Sequence, residues 1–262
     1  MQQPDIVFSV FTKPWKMALP ELGRLVHTLG FIGVELPVRP GFQIEPEHIA
    51  RDLPQAVREL AESDVRITSV ATLPTEAAIA TCAELGIPII RVMAPIEGDG
   101  YLATEARAQQ EYEALLPLLE RYKVKLGVQQ HYGRFVSNAA GLRRLVERFD
   151  PHYIGAVWDA AHGGLSGEEP ELALDMVWSH LCMVNLKNVF WRRSTGPEAE
   201  DVEWKPYWTT GRQGLSSWPR VASALKERQY RGVICLTAEY SDEAAVNRLI
   251  AQDIAFARSL FS

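Results

Sequence analysis

Eight short apolar runs, each followed by a helical stretch, predict an α/β protein folded as a (β/α)8 barrel, the TIM barrel architecture, in a single domain over residues 1–262. Three observations carry that expectation. The alternation is unbroken, with no linker or low-complexity tract. Several runs, such as IIRVM and GVICL, are nearly continuous apolar strings, the pattern of strands covered on both faces. The stretches between them are long enough to cross between parallel neighbours.

In order, strands are expected at Ile6–Phe11, Ile32–Leu36, Arg66–Ala71, Pro88–Val92, Val124–Gln129, Tyr153–Trp158, Cys182–Lys187 and Gly232–Leu236. The first helix, Leu19–Leu29, has apolar residues three and four apart and Gly30 as its stop. Ile49–Ser63 is amphipathic in the same way, and Thr75–Leu85 ends at Gly86. Leu102–Tyr122 is the longest helix, with Pro117 expected to bend or divide it. Asn138–Phe149, Glu169–Ser179, Leu215–Arg228 and Glu243–Leu260 complete the set. An open doubly wound sheet is the rival. It shows fewer units and often a Gly-rich turn after its first strand, where this chain has FTKPWKM. The longest irregular stretch, Asn188–Gln213, holds Trp191, Trp204 and Trp208. It follows strand seven and is expected to sit over the barrel mouth.

Composition narrows the function classes. With 47% hydrophobic and 23% charged residues the chain is globular. A net charge of −6 disfavours a nucleic-acid partner, which needs a basic stripe. No apolar run is long enough to cross a membrane, and MQQPDIVFSVF lacks a signal-peptide pattern. Cys82, Cys182 and Cys235 are far apart, match no zinc or redox spacing, and are read as small buried hydrophobes in a reducing, cytoplasmic setting.

Catalytic groups of such a barrel come from the C-terminal ends of its strands. Here those ends carry Glu35, Arg91, Gln129, Gln130, His131, Asp159, His162, Asn185, Lys187 and Glu239. Each has a plain structural alternative: Glu35 with Arg91 as an ion pair, the histidines as local hydrogen-bonders, the whole set as a metal-free polar network. Lys187 is costly to bury alone, so a carboxylate or a ligand is expected beside it. Carboxylate oxygens of Asp159 and Glu239, with amide oxygens of Gln129 and Asn185, are donors that Mn²⁺ or Mg²⁺ accepts. A nitrogen from His131 or His162 shifts the preference toward Mn²⁺, Co²⁺ or Zn²⁺. GRQG at Gly211–Gly214 reads as the turn into a helix, or as an anion-binding turn using Arg212.

The segments LGFIGVEL, LGVQQHYG, VWDAAH, MVNLKNV and LTAEYS, in that order, resemble the xylose-isomerase-like barrels. That superfamily includes sugar epimerases and isomerases, inosose dehydratases, hydroxypyruvate isomerases and endonuclease IV repair enzymes. The resemblance implies one divalent metal held from strands five to eight by Glu, Asp, His and Glu. In this chain those positions are Gln129, Asp159, Asn185 and Glu239, so two of the four depart. It further implies His162 and Lys187 close to the metal or substrate, with Glu35 and Arg192 near the pocket. With the strand-end residues this makes Glu239, His131, His162 and Lys187 the candidate catalytic groups and Glu35, Arg91, Gln130, Trp15, Trp191 and Arg192 the candidate substrate contacts.

The departures bear on chemistry. In the epimerases the two glutamates are also the acid/base pair on opposite faces of the reacting carbon, and a glutamine amide is no base at neutral pH. Weight therefore shifts from epimerisation to isomerisation or elimination with one base. The metal is expected to be weakly held, acquired with substrate, or absent. The expected activity is a divalent-metal-assisted isomerase, epimerase or dehydratase acting on a sugar, keto-sugar or cyclic polyol. The alternative is an altered member that binds a sugar or serves as a partner subunit. A nuclease reading fits poorly, since His27, His48, His152 and His180 fall in helical or connecting stretches. A homo-oligomer is an expectation of the resemblance, with no surface stripe to specify it.

Overall fold

A computed structural model describes residues 6–262; residues 1–5, part of the stretch read for a signal pattern, lie outside it. Seven strands come first: β1 (Ile6–Phe11), β2 (Gly33–Pro37), β3 (Arg66–Ala71), β4 (Ile89–Met93), β5 (Lys125–Gln129), β6 (Ile154–Asp159) and β7 (Leu181–Leu186). A hairpin of β8 (Asn188–Arg193) and β9 (Trp204–Thr209) follows, then β10 (Gly232–Leu236). β1 to β7 and β10 are parallel and close into a barrel, with β10 between β7 and β1. The predicted (β/α)8 architecture is the observed one.

The helices are α1 (Leu19–Thr28), α2 (Ile49–Ala61), α3 (Glu76–Glu84), α4 (Tyr101–Tyr122), α5 (Ala139–Val146), α6 (Ala160–Leu165), α7 (Pro170–Val177), α8 (Trp218–Glu227) and α9 (Val246–Phe261). Their ends follow local chemistry. The side chains of Thr75, Asn138 and Ser217 accept hydrogen bonds from the first-turn amides of α3, α5 and α8. Gly30 and Gly86 adopt φ of +95° and +68° just past α1 and α3, where the sequence places their stops. α4 runs through Pro117 as one element, so of the two expected effects, a bend or a division, the proline does not divide it.

Two layers of apolar packing hold the barrel. Between strands and helices lies a continuous core that includes Leu22, Val34, Leu53, Ile90, Leu126 and Leu225. Inside the barrel, Phe11, Ala71, Ile89, Val157, Met183 and Cys235 form a smaller cluster. There the strands approach too closely for a side chain at Gly155, where a Cβ would lie 2.8 Å from Cys182 Sγ and 2.9 Å from His180 O. All three cysteines are free thiols; Cys82 and Cys235 are buried as expected, whereas Cys182 is only partly buried. Among the described residues no helix is long and apolar enough to cross a membrane.

The stretch expected to be irregular is mostly the β8–β9 hairpin, paired from Asn188↔Thr209 to Arg193↔Trp204. Its sequences, NVFWRR and WKPYWT, mix aromatics with charges, which hides the period of two. Pro206 is tolerated because a two-stranded ribbon has free edges. The hairpin is tied down at its base. The buried amide of Asn188 donates to Gly211 O (2.9 Å) and Ser216 O (2.8 Å) and accepts from Val189 N (3.0 Å) and Ser216 N (3.1 Å). GRQG is the turn wrapped around this amide, and a Cβ at Gly214 would overlap Asn188 Oδ1 at 2.0 Å. At the other side, Trp208 N donates to Ser241 Oγ (2.9 Å) and Ser241 N donates to Trp208 O (3.0 Å). Asn188→Ala leaves several buried backbone groups unpaired. It is expected to cost about 2 kcal/mol or more in urea unfolding and to increase amide exchange across β8 and β9 before the rest of the barrel.

Candidate active site

Two linked sets of polar side chains meet at the C-terminal ends of the strands. The first crosses the barrel floor. Arg91 on β4 forms a buried ion pair with Glu35 on β2, Nε to Oε1 at 2.7 Å, and Ser69 Oγ donates to the same oxygen at 3.1 Å. Arg91 Nη1 also donates to Gln129 Oε1 on β5. A guanidinium only donates, so Gln129 must turn its oxygen toward Arg91 and its nitrogen away. That nitrogen donates to Asp159 Oδ2 at 2.9 Å, and Asn185 Nδ2 approaches the same oxygen at 3.4 Å. The other carboxylate oxygen of Asp159 accepts from Ala161 N (3.0 Å) and His162 N (3.1 Å), capping α6. Burial raises the Asp159 carboxyl above its ordinary range, against the opposing pull of Lys187 and of the capping amide.

The second set is a lysine–glutamate–lysine triad. Lys187, one residue past β7, reaches Glu239 Oε2 at 2.6 Å, and Lys13, past β1, reaches Oε1 at 2.5 Å. Burial alone would raise the Glu239 carboxyl, but the two ammoniums outweigh it and hold it at about 2. Glu239 is aimed by the residue before it: Ala238 has φ 52°, a left-handed conformation that costs a non-glycine residue roughly 1–2 kcal/mol. Strain of this kind concentrates at functional sites. The face of Trp208, brought in by the hairpin, lies over Lys187 Nζ at 3.9 Å.

Two histidines stand beside the triad with ring centres 4.1 Å apart. His162 is buried, stacked on Tyr132 and edge-on to Trp208. Neither of its ring nitrogens has a hydrogen-bond partner, and Nε2 lies 3.7 Å from Asp159 Oδ2. His131 Nδ1 lies 2.9 Å from Tyr132 O. Burial is the main reason both rings titrate low, His131 at about 4 and His162 well below its ordinary value. Both are neutral at pH 7.

An outer cavity of about 710 Å³ opens above these groups, walled by Trp15, His131, Tyr132, Trp208, Lys187 and Glu239. An inner cavity of about 50 Å³ shares His131, Lys187 and Glu239 with it and reaches Arg91, Asp159 and His162. Most residues singled out in the sequence thus converge, and Glu35 stands just behind Arg91. Three do not. Gln130 is turned into the wall, where Nε2 donates to Asp159 O and Oε1 accepts from Asp159 N, both at 3.2 Å, lengthening the β5–β6 ladder. Trp191 is 42% exposed and Arg192 packs over Tyr207, both out along β8 and lining neither cavity. Residue-by-residue reading missed Lys13 and Arg39. The period of two, carried past the strand ends from Phe11 to Lys13 and from Glu35 through Pro37 to Arg39, is the signal that finds them.

The expected metal ligands do not fit a divalent ion as arranged. Gln129 and Asn185 turn amide nitrogens toward Asp159, Glu239 is engaged at both oxygens by ammoniums, and Arg91 occupies the oxygen of Gln129. Among the described residues no group of three or more His, Cys, Asp or Glu side chains converges as a ligand set. The positive charge that a cation would supply there comes from lysine and arginine.

A closed parallel barrel with its polar cavity at the strand ends defines the class. The chain belongs to the xylose isomerase-like TIM barrel family, whose model matches residues 24–260. Among solved structures it is similar to D-psicose 3-epimerase from Clostridium cellulolyticum H10, at 13% identity and TM-score 0.73, covering 98% of this chain and 99% of that one. It is similar to 3-keto-D-glucoside 4-epimerase from E. coli, at 12% identity and TM-score 0.71, covering 97% and 99%. A probable 3-DHS dehydratase from Bacillus anthracis matches at 11% identity and TM-score 0.70, covering 96% and 98%. At these identities the likeness is one of fold. Comparison with curated protein sequences gives no match.

The histidines make stability depend on pH. A histidine held neutral in the fold binds a proton more readily once unfolded, so its contribution is present above about pH 6.5 and is lost as pH falls toward about 4. Thermal unfolding across that window is expected to show falling stability, with a shallower slope in His131→Gln. An unchanged slope in that variant contradicts the burial argument.

Proposed function

We propose that this protein is an enzyme that isomerises, or eliminates water from, a small sugar, keto-sugar or cyclic polyol, using one carboxylate base and no metal at the four strand-end positions. The observation that carries this reading is the Lys13–Glu239–Lys187 triad, which opens into both cavities while the position across from it holds Gln129. The printed activities of the similar structures, two epimerases and a probable dehydratase, support the substrate class.

The chemistry follows from the groups present. Lys187 has three N–H donors and gives one to Glu239. A substrate carbonyl oxygen that accepts another is polarised, and the enediolate formed from it is stabilised by the same ammonium. Glu239 removes the proton from the carbon next to that carbonyl. At about 2 its basicity is low, and transfer of a lysine contact to the substrate oxygen restores it. Returning the proton to the former carbonyl carbon on the same face, while the hydroxyl proton passes from the neighbouring oxygen to the former carbonyl oxygen, completes an isomerisation. Elimination uses the same first step, with the leaving hydroxyl protonated by Lys187. Neutral His131 is placed to hold a substrate hydroxyl, and Trp15, Tyr132 and Trp208 offer faces to sugar C–H groups. Inversion needs a second base on the opposite face, which Gln129 does not supply.

A second reading, sugar binding without turnover, is favoured by the low proton affinity of Glu239 in the free site. A panel of keto-sugars and inososes, assayed after dialysis against EDTA, separates the two. Turnover is expected to survive chelation and to fall about 10²–10⁴-fold in Glu239→Gln and comparably in Lys187→Met. Binding without turnover supports the second reading. Stoichiometric metal that is lost in Asp159→Asn, with turnover restored by that metal alone, overturns the metal-independent mechanism.

A further inference from the structure

Four cations line the inner cavity: Lys13, Arg39, Arg91 and Lys187. Lys13 and Lys187 share Glu239, and Arg91 is bound to Glu35. Arg39 has no such partner. Among the described residues its half-buried guanidinium makes no hydrogen bond or ion pair, and its nearest ring, Phe11, lies 5.8 Å away. Burial and then the like charge of Arg91 lower it from its ordinary value, with the more distant carboxylates only partly offsetting this. It stays protonated at neutral pH, with five N–H donors and no acceptor in reach.

The backbone holds this residue in place. Arg39 opens a turn in which Phe42 N donates to Arg39 O (3.2 Å), with Pro40 second and Gly41 third at φ +77°, the geometry of a type II turn. Gly41 N donates to Glu45 Oε1 at 2.8 Å, and Val38 bridges to Ile44. The placement of a charged donor beside the cavity is therefore built in rather than incidental to a loose loop.

Charge and size then specify the ligand. Against the four lining cations stand two lining carboxylates, Asp159 and Glu239, with Glu35 behind Arg91, and the two histidines are neutral. One positive charge remains in excess. The inner cavity, about 50 Å³, is much smaller than the outer one, about 710 Å³, so the bulk of a ligand fits the outer one. The ring belongs in the outer cavity, with a single small group reaching inward. Resting on the reading that the pocket takes a sugar-like molecule, we propose that its ligand carries an anionic oxygen group, a carboxylate or a phosphate, and that Arg39 is the side chain that receives it.

Tryptophan fluorescence, reported by Trp15 and Trp208 in the outer wall, tests this with three probes: D-fructose, D-galacturonate and D-fructose 6-phosphate. The expected result is that one anionic probe binds about tenfold or more tightly than D-fructose, that Arg39→Gln removes the advantage, and that Arg39→Lys keeps part of it. Preference for galacturonate assigns a carboxylate, and preference for the phosphate ester assigns a phosphate. Equal affinities in the wild type and Arg39→Gln overturn the proposal, as does binding of D-fructose with exclusion of both anions. Failure of the enzymatic reading is separately visible: an Arg39-dependent anion preference with no turnover of any sugar keeps the anion site and removes the catalysis. Among the described residues Arg39 donates no hydrogen bond, so Arg39→Gln is expected to unfold at the wild-type temperature.

Discussion

Three carboxylates lie at the C-terminal end of this barrel, and each must find positive charge or oriented dipoles at close range, because isolated ionised groups are costly out of water. The solutions differ. Glu35 takes Arg91, Glu239 takes two lysines, and Asp159 takes the N-terminal amides of α6 with the side-chain amides of Gln129 and Asn185. Much of the site follows from that balance. It orients Gln129 through Arg91, positions α6 through Asp159, and leaves Glu239 ionised far below the usual carboxylate range. The compensating positive charge comes from ammonium and guanidinium groups fixed to the chain, and the proposed metal-free chemistry and the proposed anionic ligand both rest on that balance.

The hairpin between β7 and β10 turns this charged floor into a pocket. Its base is pinned by the four hydrogen bonds of Asn188 and by the reciprocal bonds between Trp208 and Ser241. Trp208 can then lie over Lys187 and meet Tyr132 and His162 edge-on. These contacts bury the Lys187 end of the triad, while Lys13 at the other end stays half exposed. They also contribute to the neutrality of the histidines: burial among aromatic rings, with Lys187 and Arg91 nearby, outweighs the pull of Glu239 on His131 and the approach of Asp159 Oδ2 to His162 at 3.7 Å. Outward along the ribbon the same strand face carries Trp191 and Trp204 into solvent, so the aromatic content of the segment divides between pocket wall and exposed tip.

The eight barrel strands, the barrel itself and eight of the nine helices were legible in the chain; the short α6, built on the Asp159 cap, was not. Those features arise from local periodicities and caps: apolar runs for β4 and β10, spaced apolar residues and glycine stops for α1 and α3. The family likeness followed from the same local strings. The short strands of the hairpin were not legible, since NVFWRR and WKPYWT carry no clean alternation and pair only with each other.

The sequence by itself determined which side chains stand at the strand ends, including the amides at positions 129 and 185 where a carboxylate and an imidazole were expected. Only the tertiary structure decided what those side chains do to one another. Lys13 and Glu239 are separated by nearly the whole chain, and they meet because β1 and β10 are the strands that close the barrel. Gln130 turns into the wall while Gln129 faces the cavity, a choice made by its partners on β6. Among the described residues Arg39 has no ion-pair partner, while Glu35 pairs with Arg91 and Glu239 with two lysines, an outcome set by distant residues that no local pattern records.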